Sequence, residues 1–204
     1  MHPNPVYHTA DDSQNLAFAR DRAFGVLSVN GPEGPLVSHV PFILSEDGAW
    51  AEMHLVRSNP IARALGAPQR AILAVTGADS YVSPDWYGLD DQVPTWNYVA
   101  VHLRGTLELR PAEEMRDLLV RQSAVYEERL LPKTPWLIDK VNEEALAKLL
   151  RMIVPCRMRI ESIDGTWKLT QNKVESARLG AAEAMAEHGF GAEVRQLAAL
   201  MRDA

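Results

Sequence analysis

From residue 96 to residue 109 the chain alternates with a period of two, and this stretch limits the fold more than any other. One face reads Asn97, Val99, Val101, Leu103, Gly105, Leu107 and Leu109; the other reads Trp96, Tyr98, Ala100, His102 and Arg104. Such alternation places every second side chain on one side of a strand. The first face is a core face. The second mixes aromatic and cationic groups, as interfaces often do, and reads either as a surface for a ligand or second subunit or as a strand half covered by a helix. Residues 77–105 also collect Trp86, Tyr81, Tyr87, Pro84 and Pro94. Proline fixes φ, and rings on a stiff loop offer contact area at small entropic cost. This loop is expected to form a wall for a flat ligand or another chain.

The remaining pattern is read around that strand. Strands are expected at 24–30, 36–44, 49–56, 71–75 and 152–163, six in all with 96–109. Pro41 cannot donate to a ladder, so a free edge or a bulge is expected there. A first helix should end near Arg22. Asn59 or Ser58 should cap a short helix with Pro60 in its first turn. Met115, Leu118, Leu119, Gln122 and Tyr126 fall at helical spacing after Pro111. Asn142 should cap a helix over 143–150, and 175–188 and 192–202 should be helical with a break at 189–191. Asp164-Gly165 reads as a turn. Short, mostly sequential strands favour an antiparallel barrel over a βαβ sheet.

Composition narrows the function classes. A chain of 204 residues is one domain by the usual prior. The single cysteine, Cys156, excludes an internal disulfide and a multi-cysteine zinc site. No basic segment followed by an apolar run opens the sequence, and no apolar run approaches the roughly 20 residues needed to span a bilayer. A cytoplasmic location without membrane insertion is expected. The net charge of −6 argues against a surface built mainly to hold nucleic acid. No helix-turn-helix with a basic recognition helix is evident.

Two clusters carry candidate chemistry. In His54-x-x-Arg57-Ser58-Asn59-Pro60, a strand end delivers His54 and Arg57 to the start of a helix. An arginine beside free helical N–H groups suits an anion such as phosphate, although most such starts only cap a helix. In 167–173, Trp167, Lys168, Gln171, Asn172 and Lys173 combine a ring, two cations and two amides. Amides that donate and accept suit the edge of a heterocycle; the plainer reading is a solvated turn before a helix. Two histidines, His39 and His54, make no metal site without a third ligand. No nucleophile elbow, P-loop or GxGxxG occurs.

The segments 54–60 (HLVRSNP), 77–88 (GADSYVSPDWYG), 93–105 (VPTWNYVAVHLRG) and 168–173 (KLTQNK), in that order, resemble the PaiB-like family of FMN-binding negative transcriptional regulators. The resemblance runs over nearly the whole chain. Val56 and Thr170 stand where the family pattern has alanine and serine, and the last thirty residues match it less well. The resemblance implies an α+β fold: a mainly antiparallel six-stranded split β-barrel of the pyridoxamine-phosphate-oxidase type with surrounding helices. It implies a homodimer with FMN at the interface. Residues 1–173 would form the flavin domain, with helices inserted at 111–150, and 174–204 a helical extension packed on it. Arg57, Ser58 and Asn59 are implied at the flavin phosphate, with His54 beside them. Lys168, Gln171 and Asn172 are implied to approach the same flavin, from the same or the partner subunit, and Trp96 to serve as flavin wall or dimer surface. The function implied is that of a flavin-linked repressor, with a DNA or regulatory partner that the sequence does not identify. The alternative is an FMN-dependent oxidoreductase or flavin reductase using the same site.

Overall fold

The computed structural model describes every residue from Met1 to Ala204. Seven strands form one sheet: β1 (Phe24–Gly31), β2 (Gly34–Pro41), β3 (Ile43–Leu44), β4 (Trp50–Val56), β5 (Gln69–Val82), β6 (Thr95–Leu109) and β7 (Ile153–Lys168). Their order is β2-β1-β5-β6-β7-β4-β3. β1 pairs antiparallel with β2 and with β5, and β4 pairs antiparallel with β3 and with β7. Six helices accompany the sheet: α1 (Asp12–Arg22), α2 (Pro60–Ala64), α3 (Met115–Glu128), α4 (Glu143–Leu150), α5 (Glu175–His188) and α6 (Val194–Asp203).

The expected count of six strands is therefore corrected to seven, and the sheet does not close into a barrel: its order ends on β2 and β3. The extra strand comes from Pro41. The stretch expected to run unbroken over 36–44 stops at that residue, and Phe42 turns its N–H to the carbonyl of Ala23 at 3.0 Å. A proline has no N–H to continue a ladder, so β3 restarts one residue later. Two further expectations are corrected. β5 continues through Gly77 to Val82, so the rigid aromatic loop shrinks to a 3-10 turn over Pro84–Tyr87 and the residues after it. β7 passes straight through Asp164-Gly165, which is not a turn. Gly165 is there for space: a Cβ would stand 2.0 Å from Oδ1 of Asn15. That oxygen accepts a hydrogen bond from Nε1 of Trp167 at 2.9 Å.

The chain divides into two compact units. One holds residues 19–74 and 103–162. Leu27, Met53, Leu73, Leu103, Leu107 and Met158 are among its fully buried side chains and alternate along their strands as period two requires, with Phe42, Ile61 and Met115 buried beside them. Met115 and Leu118 of α3 pack with Ile43. The Asn142 side chain accepts from the N–H groups of Glu144 and Ala145, which fixes the start of α4. At Gly105 a Cβ would lie 1.7 Å from the carbonyl oxygen of Arg159.

The other unit holds residues 1–18, 75–102 and 163–204. Its core joins Val82, Tyr87, Val99, Trp167 and Leu169 to Ala177, Ala181, Ala182 and Met185 of α5 and to Leu197 and Met201 of α6. Alanines let α5 approach closely, and the methionines fill the irregular gaps left beside them. The connection between α5 and α6 is held through its backbone carbonyls. The Ser80 hydroxyl donates to the carbonyl of Phe190 at 2.9 Å, and the N–H of Asp79 donates to the carbonyl of Ala192 at 2.9 Å.

Replacing Gly105 with alanine should destabilise the protein by about 1–3 kcal/mol or more, because the added methyl group meets backbone that cannot rotate away. Gly66→Ala, where nothing lies within 4 Å of the new carbon, should be close to neutral. Urea melts of both variants check this.

Candidate functional site

The sequence-predicted residues fall into two groups, one in each unit. His54, Arg57, Ser58 and Asn59 belong to the unit of residues 19–74 and 103–162; Trp96, Lys168, Gln171 and Asn172 belong to the other.

In the first group, β4 ends at Val56 and α2 begins at Pro60, so Arg57, Ser58 and Asn59 form the exposed junction. Asn59 is the cap of α2: its Oδ1 accepts from the N–H of Ile61 at 2.9 Å, and its Nδ2 donates to Oγ of Ser38 at 2.9 Å. Both ends of that side chain are engaged, which leaves it a positioning residue. The Arg57 guanidinium donates from Nε to the carbonyl of Arg151 at 3.0 Å and from Nη2 to that of Ile153 at 3.4 Å. These bonds hold the side chain against the start of β7 and leave Nη1 and the exposed Ser58 hydroxyl for a ligand. His54 is half-buried. Its Nδ1 lies 3.1 Å from Oε1 of Gln122, whose Nε2 donates to the Tyr126 hydroxyl at 3.3 Å; that hydroxyl donates to the carbonyl of Phe42 at 2.9 Å. Burial holds the His54 pKa below its ordinary value, with the Gln122 bond opposing that shift. Neutral imidazole carries its proton on Nδ1 to donate to the glutamine oxygen.

In the second group, Lys168, Asn172 and Lys173 line a cavity of about 240 Å³ with His2, Tyr7, Tyr87, Thr95, Asn97 and Thr170. The Lys168 ammonium donates to the carbonyl of Trp96 at 2.8 Å and to the Thr95 hydroxyl. Burial lowers its pKa. Burial also raises the pKa of the Tyr7 and Tyr87 phenols, which keeps both protonated. Lys173 reaches Oε1 of Gln92, with its ammonium 4.4 Å from the centre of the Tyr87 ring. Gln171 is not brought to the cavity. Its side chain folds back on its own turn, accepting from the N–H of Leu169 and donating to the carbonyl of Trp167.

Trp96 is 41% exposed, and its Nε1 donates to Oδ1 of Asp79 at 3.1 Å. Tyr81 and Phe190 pack on it with ring centres 6.3 and 5.7 Å away. Nothing in the sequence around Phe190 marks it, because only the turn between α5 and α6 carries it there. The alternation by itself places Asn97 on a core face. Its signal was nevertheless present: a single amide in a row of valines and leucines must be hydrogen-bonded or functional. Cys156 is buried, and burial pushes its thiol up to about 12, which makes it an inert core residue.

A model of the family described as "Putative FMN-binding domain" matches residues 1–162. The chain is 27% identical over 202 residues to the protease synthase and sporulation protein PAI 2 of Bacillus subtilis, covering 98% of this chain and 96% of that one. Among solved structures, the FAD and heme binding protein of Mycobacterium smegmatis superposes with a TM-score of 0.60 at 14% identity, covering 90% of this chain and 81% of that chain. The flavocytochrome Anf3 of Azotobacter vinelandii gives a TM-score of 0.56 at 17% identity, covering 77% and 67%. These two likenesses concern the fold alone. No helix of the chain is long and apolar enough to cross a membrane.

The buried imidazole makes a prediction about acid. The folded pKa of His54 is depressed below the ordinary value of 6.5, so below that pH the unfolded chain binds the extra proton first. Stability should therefore fall as the pH drops from 6.5 toward the folded pKa. His54→Gln should flatten the dependence in that window, which denaturant melts between pH 7.5 and pH 5 would show.

Proposed function

The chain belongs to the PaiB-like family of FMN-binding proteins, and from that membership we propose that it is an FMN-dependent negative transcriptional regulator acting as a homodimer. The observation that carries this reading is the family match over residues 1–162, which includes the junction of β4 and α2. There, Arg57 and Ser58 stand exposed with polar groups that the protein leaves unused. They suit the phosphate of FMN: a guanidinium Nη1 and a hydroxyl are both donors, and a doubly bonded Arg57 is already ordered before the ligand arrives. Asn59 sets the junction by capping α2, and His54 stands behind it as a neutral ring. Lys168 and Asn172, from the same or the partner subunit, would offer an ammonium and an amide to the polar edge of the flavin, and Trp96 a ring surface or part of the dimer surface. Bound flavin supplies the redox chemistry; the chain binds and orients it. In this reading residues 1–173 hold the flavin and 174–204 support them.

The acidic balance of the chain bears on how it would repress. With a net charge of −6, affinity for random duplex should be weak and show no steep salt dependence. Repression then works through a local patch, a partner protein or a flavin-linked change in the dimer. A second reading, an FMN-dependent oxidoreductase or flavin reductase, rests on the exposure of Trp96, which leaves a ring surface open to a second substrate.

Arg57→Ala should weaken FMN by about 10- to 100-fold, the range for a hydrogen bond to a charged group, and leave riboflavin nearly unchanged. Equal losses for both flavins would remove the phosphate assignment. Anisotropy titrations with promoter and random DNA, with and without FMN, test the regulator. Rapid oxidation of NADH or NADPH by the FMN-loaded protein, with no flavin-dependent DNA binding, would favour the enzyme instead.

A further inference from the structure

The cavity beside Lys168 is electrically and chemically incomplete. Two ammonium groups, Lys168 and Lys173, line it. Their partners are neutral: the Thr95 hydroxyl and the Trp96 carbonyl for one, the Gln92 amide for the other. Neither cation meets a carboxylate, and no acidic side chain lines the cavity. Asn97 lies in the same wall and is fully buried. Its Nδ2 donates to Oγ1 of Thr170 at 2.7 Å, while its Oδ1 has no hydrogen-bond partner. A buried acceptor left empty is destabilising, and two positive charges without a counter-ion add to that cost. Thr170, which holds the other end of the Asn97 amide, has a positive φ of 67°. A β-branched residue in that region is strained, and such strain gathers at ligand sites.

We infer that this cavity is a binding site for a small anion that carries its own hydrogen-bond donor. Lys168 and Lys173 neutralise the anionic group, Asn97 Oδ1 accepts from the donor, and Tyr7 and Tyr87 form the side walls. At about 240 Å³ the space lies below the roughly 300 Å³ at which drug-sized pockets begin, so the occupant is a compact polar group. Two sources offer an anion beside a donor. One is a free small molecule, such as the phosphate monoester of a polyol. The other is the pyrimidine edge of a flavin, where an N–H lies between carbonyl oxygens that carry partial negative charge in the oxidised ring and more on reduction; this source alone rests on the flavin reading above. The cavity residues are other than those assigned to the flavin phosphate, and Asn97, Lys173 and the two tyrosines have no role in that assignment.

The full chain, freed of flavin, is titrated by calorimetry at constant ionic strength with three probes. Glycerol 3-phosphate offers an anion and donors, sulfate an anion alone, and glycerol donors alone. Glycerol 3-phosphate should bind at least tenfold more tightly than sulfate, and glycerol should not bind. Asn97→Asp, which places a carboxylate among the lysines, and Lys173→Gln should each weaken glycerol 3-phosphate at least tenfold. Because Asn97 is buried and its variant can misfold, the half-buried Lys173→Gln carries the test by itself. FMN and riboflavin are then titrated into wild type and Lys173→Gln. Equal weakening of both flavins identifies the flavin edge as the source; unchanged flavin affinity with lost glycerol 3-phosphate identifies a separate ligand. The inference falls if neither glycerol 3-phosphate nor either flavin distinguishes Lys173→Gln from wild type, or if sulfate binds as tightly as glycerol 3-phosphate. Failure of the wild type to bind FMN would remove the flavin reading and leave the result with glycerol 3-phosphate standing.

Discussion

Between β6 and β7 the backbones approach so closely at Gly105 that no side chain fits, the carbonyl of Arg159 occupying the place where one would begin. This contact fixes which faces of the two strands can be buried. A strand shifted by one residue would turn Leu103 and Leu107 outward and bring Arg104 and Thr106 into the core. With β6 held, β7 is held, and through its register with β4 (Met53 opposite Cys156, His54 opposite Pro155) the junction carrying Arg57 is placed as well. Arg57 in turn bonds to the carbonyls at the beginning of β7. The candidate phosphate contact thus stands on a strand pairing and needs no support from the exposed turn itself.

Buried polar side chains here are of two kinds, those with every partner supplied by the fold and those left partly unpaired, and the difference bears on function. The polar chain from His54 through Gln122 and Tyr126 ends on the carbonyl of Phe42, with a partner at each step. Asn15 likewise accepts from Trp167. Satisfied networks of this kind specify a fold. Asn97 is the contrasting case, because half of its amide is used and half is not. An unsatisfied group kept in a wall with two uncompensated cations has an explanation in ligand binding that the satisfied ones do not require. The Arg121 guanidinium shows the exposed counterpart: it bridges Glu52 on β4 and Asp117 on its own helix, and as a surface pair it adds little beyond orientation.

Local rules carried a large part of the fold. The alternation of β6, the caps at Asn59 and Asn142, the apolar stripe of α3 and the break between α5 and α6 follow from periodicity and turn chemistry, which act within a few residues. The same rules located Arg57 and Ser58 at a strand end before a helix, and Lys168 with Asn172 in one short stretch. They failed where a residue serves a distant partner. Gly165 follows an aspartate and reads as a turn, yet it continues β7 because Asn15, far away in sequence, needs the room.

By itself, then, the sequence determined most of the elements, the alternation of their faces and the family to which the chain belongs, since these depend on neighbours in the chain. Tertiary structure alone decided the open seven-stranded order, the full length of β5 and β7, and the assembly of Asn97, Lys168, Lys173 and the two tyrosines around one cavity. Those outcomes depend on contacts between residues far apart in the chain, as between the His2 N–H and the Thr166 hydroxyl, 164 positions apart. Closing such distances is governed by the burial of the whole core, which no short window of sequence records.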